Sequence, residues 1–396
     1  MEQRAQIEKV ISVFLFAGLF LNLFFVYFAQ ERLYRTETFG DNSLGAEKYI
    51  RILSVVCIFF TVFLSLFAAR TKYKISVFFP YLLLLFTLTL NFLISGADIS
   101  NMTHVMNTKG IGTWICLGVI FVSYSDKRYE NFKKFIFLAA IYISILTLYN
   151  FVDFGIGGWR SQALSKYRVY GVNYIWIAPY AFLILKNYKK LKWLRVYILI
   201  IGIVLSLVIQ TRSFLIIYFV TVMFDFFNTK KKGGYLVLLG IGSLILTYLV
   251  INTEILSASF DLLMNRGTND TRTEQLKVFL AKLDFFHLIT GSGVFASYSL
   301  GAEAWTSVDN QWLYLIWWGG LIPFLCYAFL SGGIPIYMLF RGGLSYETKV
   351  ECFVLVIWFL GLSGLAIFST MSVDLFFIIM SIILGRVLYK FSNNIP

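Results

Sequence analysis

The residues best suited to chemistry in this chain are a scatter of arginines, carboxylates and one histidine in segments between long apolar runs. Arg160, Arg168, Arg212, Arg266 and Arg272 stand in such segments. A guanidinium is planar, permanently charged and able to grip a phosphate with two parallel hydrogen bonds, so this set fits a phosphorylated substrate. Arg212 is the most informative. It sits in Gln210-Thr211-Arg212-Ser213, a turn so short that it joins two apolar runs almost directly. A charge at a membrane edge costs desolvation and is a candidate functional position, although a long side chain reaching into the interface would read the same way.

A second group follows at the end of the longest polar stretch. Gly291-Ser292-Gly293 comes first, then Glu303, then Asp309-Asn310 directly before the run that opens at Trp312. A carboxylate there could take a proton from a sugar hydroxyl if its neighbours tune its pKa. Asp and Asn are equally at home as helix N-caps, and the two roles are compatible. Of the two histidines, His104 and His287, neither has a partner at ligand spacing, so neither a metal nor another cofactor is expected. His287 is a further candidate base. Trp159, Trp305, Trp312, Trp317 and Trp318 read as interface markers, with stacking on sugar rings as the alternative.

These residues need a scaffold, and composition decides its kind. The 396 residues are 59% hydrophobic and only 14% charged, with a mean hydropathy of +0.76. A water-soluble domain carries roughly a quarter charged residues. Apolar runs near the 20 or so residues that cross a bilayer as helix begin near Val10, Ile50, Ile75, Ile111, Phe135, Val172, Trp193, Phe214, Tyr235, Trp312, Val350 and Val373. The expectation is an all-α polytopic membrane protein of about 12 transmembrane helices. The runs at Ile111, Val172 and Phe214 are short. The first run lacks a small-residue cleavage site and reads as an uncleaved span. Cys57, Cys116, Cys326 and Cys352 all fall in apolar runs and read as small hydrophobes.

The net charge of +13 is a topology signal. With the N-terminus inside, the inner segments and their flanks hold 21 Lys/Arg against 7 Asp/Glu, and the outer side holds 13 against 14, which together recover the chain's 34 and 21. The whole excess lies inside, as the positive-inside rule requires. It is not a footprint for nucleic acid. Both termini are then cytoplasmic.

No linker or repeat divides the chain, so a single transmembrane domain over 1–396 is expected, with outer loops at about 155–171 and 252–308. In the longer loop Thr271-x-x-Glu274 has the capping-box pattern. Leu276, Phe279, Leu280, Leu283 and Phe286 then recur at helical spacing, with Gly291 as the stop. That amphipathic helix would lie on the bilayer or on the bundle.

Taken together, Thr211-Arg212-Ser213, Arg266, Arg272, Gly291-Ser292-Gly293, Asp309-Asn310-Gln311-Trp312-Leu313 and Gly319-Gly320 resemble the O-antigen polymerase (Wzy) and O-antigen ligase superfamily of membrane glycosyltransferases. The step from Arg160 to Gly171 is similar to an Arg-x10-Gly element of such polymerases. The resemblance implies metal-independent polymerisation of undecaprenyl-pyrophosphate-linked oligosaccharides, for O-antigen or capsule-type polysaccharide, on the outer face of the plasma (inner) membrane. Arginines, with Asn310, would hold pyrophosphate and sugar, and Asp309, His287 or Glu303 would activate the acceptor. It admits a chain-length regulating co-polymerase as a partner. Ligases of the superfamily carry His-Asn where this chain has Asp309-Asn310, which favours polymerase over ligase. A polysaccharide flippase or other transporter is the alternative from a different class, set against it by span interiors nearly free of charge.

Fusing reporters at Lys231 and Ser299 tests the expected topology. A reporter active only outside the cytoplasm should work at Ser299 and fail at Lys231, and the reverse pattern would sink the assignment.

Overall fold

The computed structural model describes residues 2–34, 46–69, 72–98, 100, 105, 110–154, 162–209, 212–229, 276–278, 280–281, 284–300, 303–305, 310–363 and 375–396. Among the described residues the regular structure is helical apart from one small hairpin. In chain order the helices are α1 (Glu2–Tyr34), α2 (Ala46–Ala69), α3 (Ile75–Ile94), α4 (Ile111–Cys116), α5 (Asp126–Phe154), α6 (Gln162–Ile184), α7 (Lys192–Val208), α8 (Arg212–Phe227), α9 (Phe285–Thr290), α10 (Gln311–Gly319), α11 (Leu321–Ala328), α12 (Ile334–Arg341), α13 (Tyr346–Gly361) and α14 (Leu375–Asn393). Strands β1 (Tyr298–Leu300) and β2 (Glu303–Trp305) pair antiparallel between α9 and α10.

Among the described residues seven helices are long and apolar enough to cross a membrane: Ala5–Val26, Ile52–Ala69, Ile75–Ile94, Asp126–Val152, Lys189–Val208, Leu321–Arg341 and Leu375–Asn393. Such helices indicate a lipid bilayer environment. The other runs counted in the sequence differ for visible reasons. At Ile111 six α-helical residues pass into a 3-10 turn, Leu117–Val122, which together rise only about 21 Å. The Val172 run is part of α6, whose first turns carry Lys166 and Arg168. The runs at Phe214 and Val350 form helices of 16 residues each. The Trp312 run breaks at Gly320 and becomes a nine-residue helix followed by the span Leu321–Arg341. The Tyr235 run lies outside the described residues.

The sequence has no linker, yet packing sorts the chain into two compact units, residues 1–25, 44–132 and 270–396 in one, and 26–43 and 133–269 in the other. In the first, α14 is the most enclosed of the seven long helices. It lies against the 3-10 turn so closely that a Cβ on Gly385 would fall 1.9 Å from the carbonyl oxygen of Ile120. The Tyr73 hydroxyl donates to the Ile120 carbonyl (2.9 Å) and the Ser123 hydroxyl to that of Ile382 (2.7 Å). Small residues bring α1 and α2 together: Ser54 Oγ donates to Gly18 O at 3.0 Å, and Asn22 donates to Gly18 O and to Ser54. Close backbone approach with a polar tie is how helices associate where lipid removes the hydrophobic drive.

Among the described residues several buried charges are paired. Arg128 reaches Glu8 (2.6 Å) and the Val122 carbonyl (2.7 Å). Lys390 reaches Glu351 (2.9 Å) and Thr348 Oγ1 (2.9 Å). Arg386 holds Asp126 at 2.5 Å. In the second unit, α6, α7 and α8 pack around Asp225, which is fully buried between Lys186 (3.0 Å) and Arg195. The Arg195 guanidinium also lies 4.2 Å over the Phe182 ring. All four cysteines are buried free thiols.

The apposition of Gly385 to a backbone carbonyl yields a direct test. Gly385→Ala should destabilise the detergent-solubilised protein by about 1–3 kcal/mol through overpacking, read as a lower unfolding temperature. Gly333→Ala, with no atom nearer than 3.5 Å to the added Cβ, should be neutral or better. Equal effects would refute the packing account.

Candidate functional site

The site is built around an interruption in a helix. α10 starts with Asn310 as N-cap, its side-chain oxygen accepting from the amides of Trp312 (3.1 Å) and Leu313 (3.2 Å). Its first turn is pinned to the end of α13, the Gln311 amide donating to Leu362 O (2.9 Å) and the Trp312 indole to Phe359 O (3.0 Å). Nine residues later Gly320, at φ 93° and ψ 175°, stops the helix before α11 begins. In an unbroken helix the carbonyls of Trp317 and Trp318 would accept from the amides four residues on. The break leaves both without those partners, and buried carbonyls are satisfied elsewhere.

They are satisfied by the loop. The Ser292 amide donates to Trp317 O (2.7 Å) and the Gly293 amide to Trp318 O (3.1 Å). This crossing requires two glycines in reciprocal positions. A Cβ on Gly291 would lie 2.3 Å from Trp318 O, and one on Gly320 would lie 2.2 Å from Ile289 O. Both have positive φ, which other L-residues adopt only with strain. A third element closes the crossing. From α3, Asn91 donates to Thr290 O (2.7 Å), and the Ser95 hydroxyl accepts from the Val294 amide (3.2 Å).

This crossing holds His287. Its helix, α9, is capped by Asp284, whose carboxylate accepts from the His287 amide (2.7 Å) and stands 2.8 Å from its Nδ1. These contacts, the backbone amide first and the imidazole second, hold the Asp284 carboxyl below the usual carboxylate range. A lowered folded value means that the cap is fully formed above the ordinary carboxylate pKa and lost as pH falls through the lowered one. With Nδ1–H donated to Asp284, Nε2 is the basic nitrogen left to accept a proton. Both side chains are exposed.

The structure corrects part of the sequence reading. The amphipathic helix does not run unbroken to Phe286. Residues 276–278 and 280–281 are helical, but Asp284 is extended (φ −82°, ψ 169°) and starts a new helix. His287 therefore sits inside α9, and Gly291 ends it at φ 78°. Trp312, Trp317 and Trp318 are buried rather than interfacial. Trp312 packs 4.6 Å from Phe359 and 5.6 Å from Tyr327, and Trp318 lies 6.4 Å from Trp114. Gly171 has a packing reason of its own, since a Cβ there would lie 2.0 Å from Ile209 Cδ1.

For the remaining candidates, Glu303 opens β2 in register with Leu300, Arg168 lies on α6 and Arg212 is the first residue of α8. Arg160, Arg266, Arg272 and Asp309 lie outside the described residues, as do His104, Thr271 and Glu274. Of the segments that carried the resemblance, the structure brings Gly291-Ser292-Gly293 and Gly319-Gly320 into contact. Asn91, Ser95 and Asp284 were not singled out from sequence. An amide in the middle of the apolar run TLTLNFLIS was the available signal for the first.

No protein-family model, curated protein or solved structure matches this chain, so its function is argued from its own residues.

Gly320→Ala probes the crossing. Gly342 shares a positive φ but has no atom within 4 Å of an added Cβ, so Gly342→Ala carries backbone strain alone, of order 1–3 kcal/mol. Gly320→Ala should cost clearly more and should speed proteolysis within 284–300. Matching losses from the two variants would show that the contact contributes nothing.

Proposed function

We propose that this protein is a polymerase that joins undecaprenyl-pyrophosphate-linked oligosaccharide repeat units on the outer face of the plasma membrane. In this reading it has about twelve spans and both termini cytoplasmic, the seven long apolar helices being the core of that set. The observation that carries the reading is the crossing of Gly291-Ser292-Gly293 with Gly319-Gly320. It unites two of the segments in which the chain resembles the polymerase and ligase superfamily, and it ties a polar loop bearing an acid–base pair to the end of an apolar helix bundle. A lipid-borne substrate with a water-soluble head calls for that combination.

In the reaction, an acceptor sugar hydroxyl attacks the anomeric carbon of the donor repeat unit. The bond from that carbon to pyrophosphate oxygen breaks, undecaprenyl pyrophosphate leaves with the electron pair, and a base takes the hydroxyl proton. Arg160, Arg168, Arg212, Arg266 and Arg272 are the residues suited to the pyrophosphate. Asp309, His287 and Glu303 are the candidate bases. For His287 the Asp284 carboxylate supplies the orienting partner that a base of this kind uses. Asn310 spends its side-chain oxygen on the α10 cap, which limits it to donating toward a sugar.

A transporter draws on one specific observation: Asp225, Glu351 and Lys390 are buried ionisable groups on helices. Each, however, is held in an ion pair within six residues of a helix end, as expected of structural anchors rather than of a mid-membrane relay.

The test uses the full chain in liposomes with an undecaprenyl-pyrophosphate-linked repeat unit. A ladder of products should form. Arg212→Ala should lower it about tenfold to a hundredfold, since a hydrogen bond to a charged group is worth roughly 1.5–3 kcal/mol, with partial recovery in Arg212→Lys. Asp309→Asn separates base from cap: loss of about 10²–10⁴-fold marks the base, and full activity moves the role to His287 or Glu303. Transfer of a single unit to lipid A-core would make the protein a ligase. Movement of the unit across the bilayer without a new glycosidic bond would make it a flippase.

A further inference from the structure

α9 is short, and its large side chains face away from the protein. Phe285 is 78% exposed and Phe286 68%, with Ile289 beside them on the same open side. Its other end is fixed by polar contacts, through Thr290 O to Asn91, Val294 N to Ser95, and Ser292 and Gly293 to the carbonyls of Trp317 and Trp318. The apolar residues are thus not turned outward by accident of a loose loop.

The depth of α9 follows from α3. That helix is a 20-residue apolar span, Ile75–Ile94, and at 1.5 Å per residue it is about 30 Å long, the thickness of the hydrocarbon core. Asn91 and Ser95 lie on its last turn and just past its end. They hold Thr290 and Val294, so residues 290–294 are level with the edge of the hydrocarbon. α9 runs into that segment directly and extends only about 9 Å from it. The last residues of α3 also include exposed apolar side chains, at Leu90, Leu93 and Ile94.

We propose that α9 is seated in the membrane, with Phe285 and Phe286 inserted among the acyl chains of the leaflet at that end of the bundle. Lipid is the occupant because α9 is tied to the end of a spanning helix whose exposed side chains there are apolar. Asp284, His287 and Thr290 are the polar complement of the same helix, as an interfacial helix requires. On the polymerase reading this seating also sets the Asp284–His287 pair at headgroup depth, where a lipid-linked pyrophosphate is presented. The seating itself does not depend on that reading.

Spin-label accessibility tests it in the full chain reconstituted in phospholipid vesicles. A nitroxide is attached to Phe286→Cys, with unlabelled-site wild type as blank because the four native thiols are buried. Phe86→Cys on the open face of α3 is the lipid reference and Lys127→Cys, exposed in the polar first turn of α5, is the water reference. The label at 286 should collide with oxygen several-fold more than with a water-soluble nickel chelate, as at 86. A pattern like that at 127 would place α9 in water and overturn the proposal. Low collision with both would mean α9 packs on protein and would overturn it equally. Phe285→Cys gives the same reading should Phe286→Cys fold poorly. Because no step of the measurement involves catalysis, loss of the polymerase reading would leave its outcome unchanged.

Discussion

The carbonyls of Trp317 and Trp318 set the terms for the first unit. Inside an apolar bundle a backbone oxygen has no water to turn to, and leaving it unpaired costs roughly 1–3 kcal/mol. Gly320 creates the problem by ending α10. The amides of Ser292 and Gly293 solve it. Everything nearby follows: the two glycines must lack side chains, α9 must arrive from one direction, and the loop it terminates is drawn onto the bundle. Irregular backbone at such depth is tolerated where protein encloses it, and here enclosure comes from α3 on one side and the buried Trp114–Trp318 cluster on the other.

Charge obeys the same rule. A chain with few ionisable residues could leave all its cations to solvent. Instead Arg128, Lys186, Arg195, Arg386 and Lys390 each neutralise a carboxylate. Lone buried ions are untenable, and a buried pair is costly to break from one side, at about 3–5 kcal/mol. These cations therefore tie helices together at or near their ends.

What the sequence made legible follows from which signals are local. Helix class, the apolar runs and the Gly291 stop depend on neighbours in the chain, and they are there to be read. The Trp312 run looked like one span because its hydropathy is continuous, whereas Gly320 turns the backbone without altering hydropathy. The tryptophans looked interfacial because position near a span end is a statistical cue. Trp312 packs on Tyr327 and Phe359, and Trp318 lies by Trp114, partners that no spacing rule connects to them. Asp284 was hidden by the regular apolar spacing on either side of it, which a single helix explains as well as two.

Asn91 shows how the missed residues could be found. An isolated amide in a spanning run is expensive, so it has a partner that the local sequence does not name. Its partner, Thr290 O, lies 199 residues away, beside one of the glycine pairs that carried the resemblance. The sequence thus held both halves of the crossing, a lone amide in an apolar helix and a Gly-Ser-Gly turn before another. What it lacked was the reason to join them, which is the pair of carbonyls freed at Gly320. Once the break is known the join is forced, because only a segment rich in unhindered amides can fill two adjacent acceptors at a backbone crossing this close. The Gly291-Ser292-Gly293 turn is such a segment, and its role at the site is first of all to be backbone.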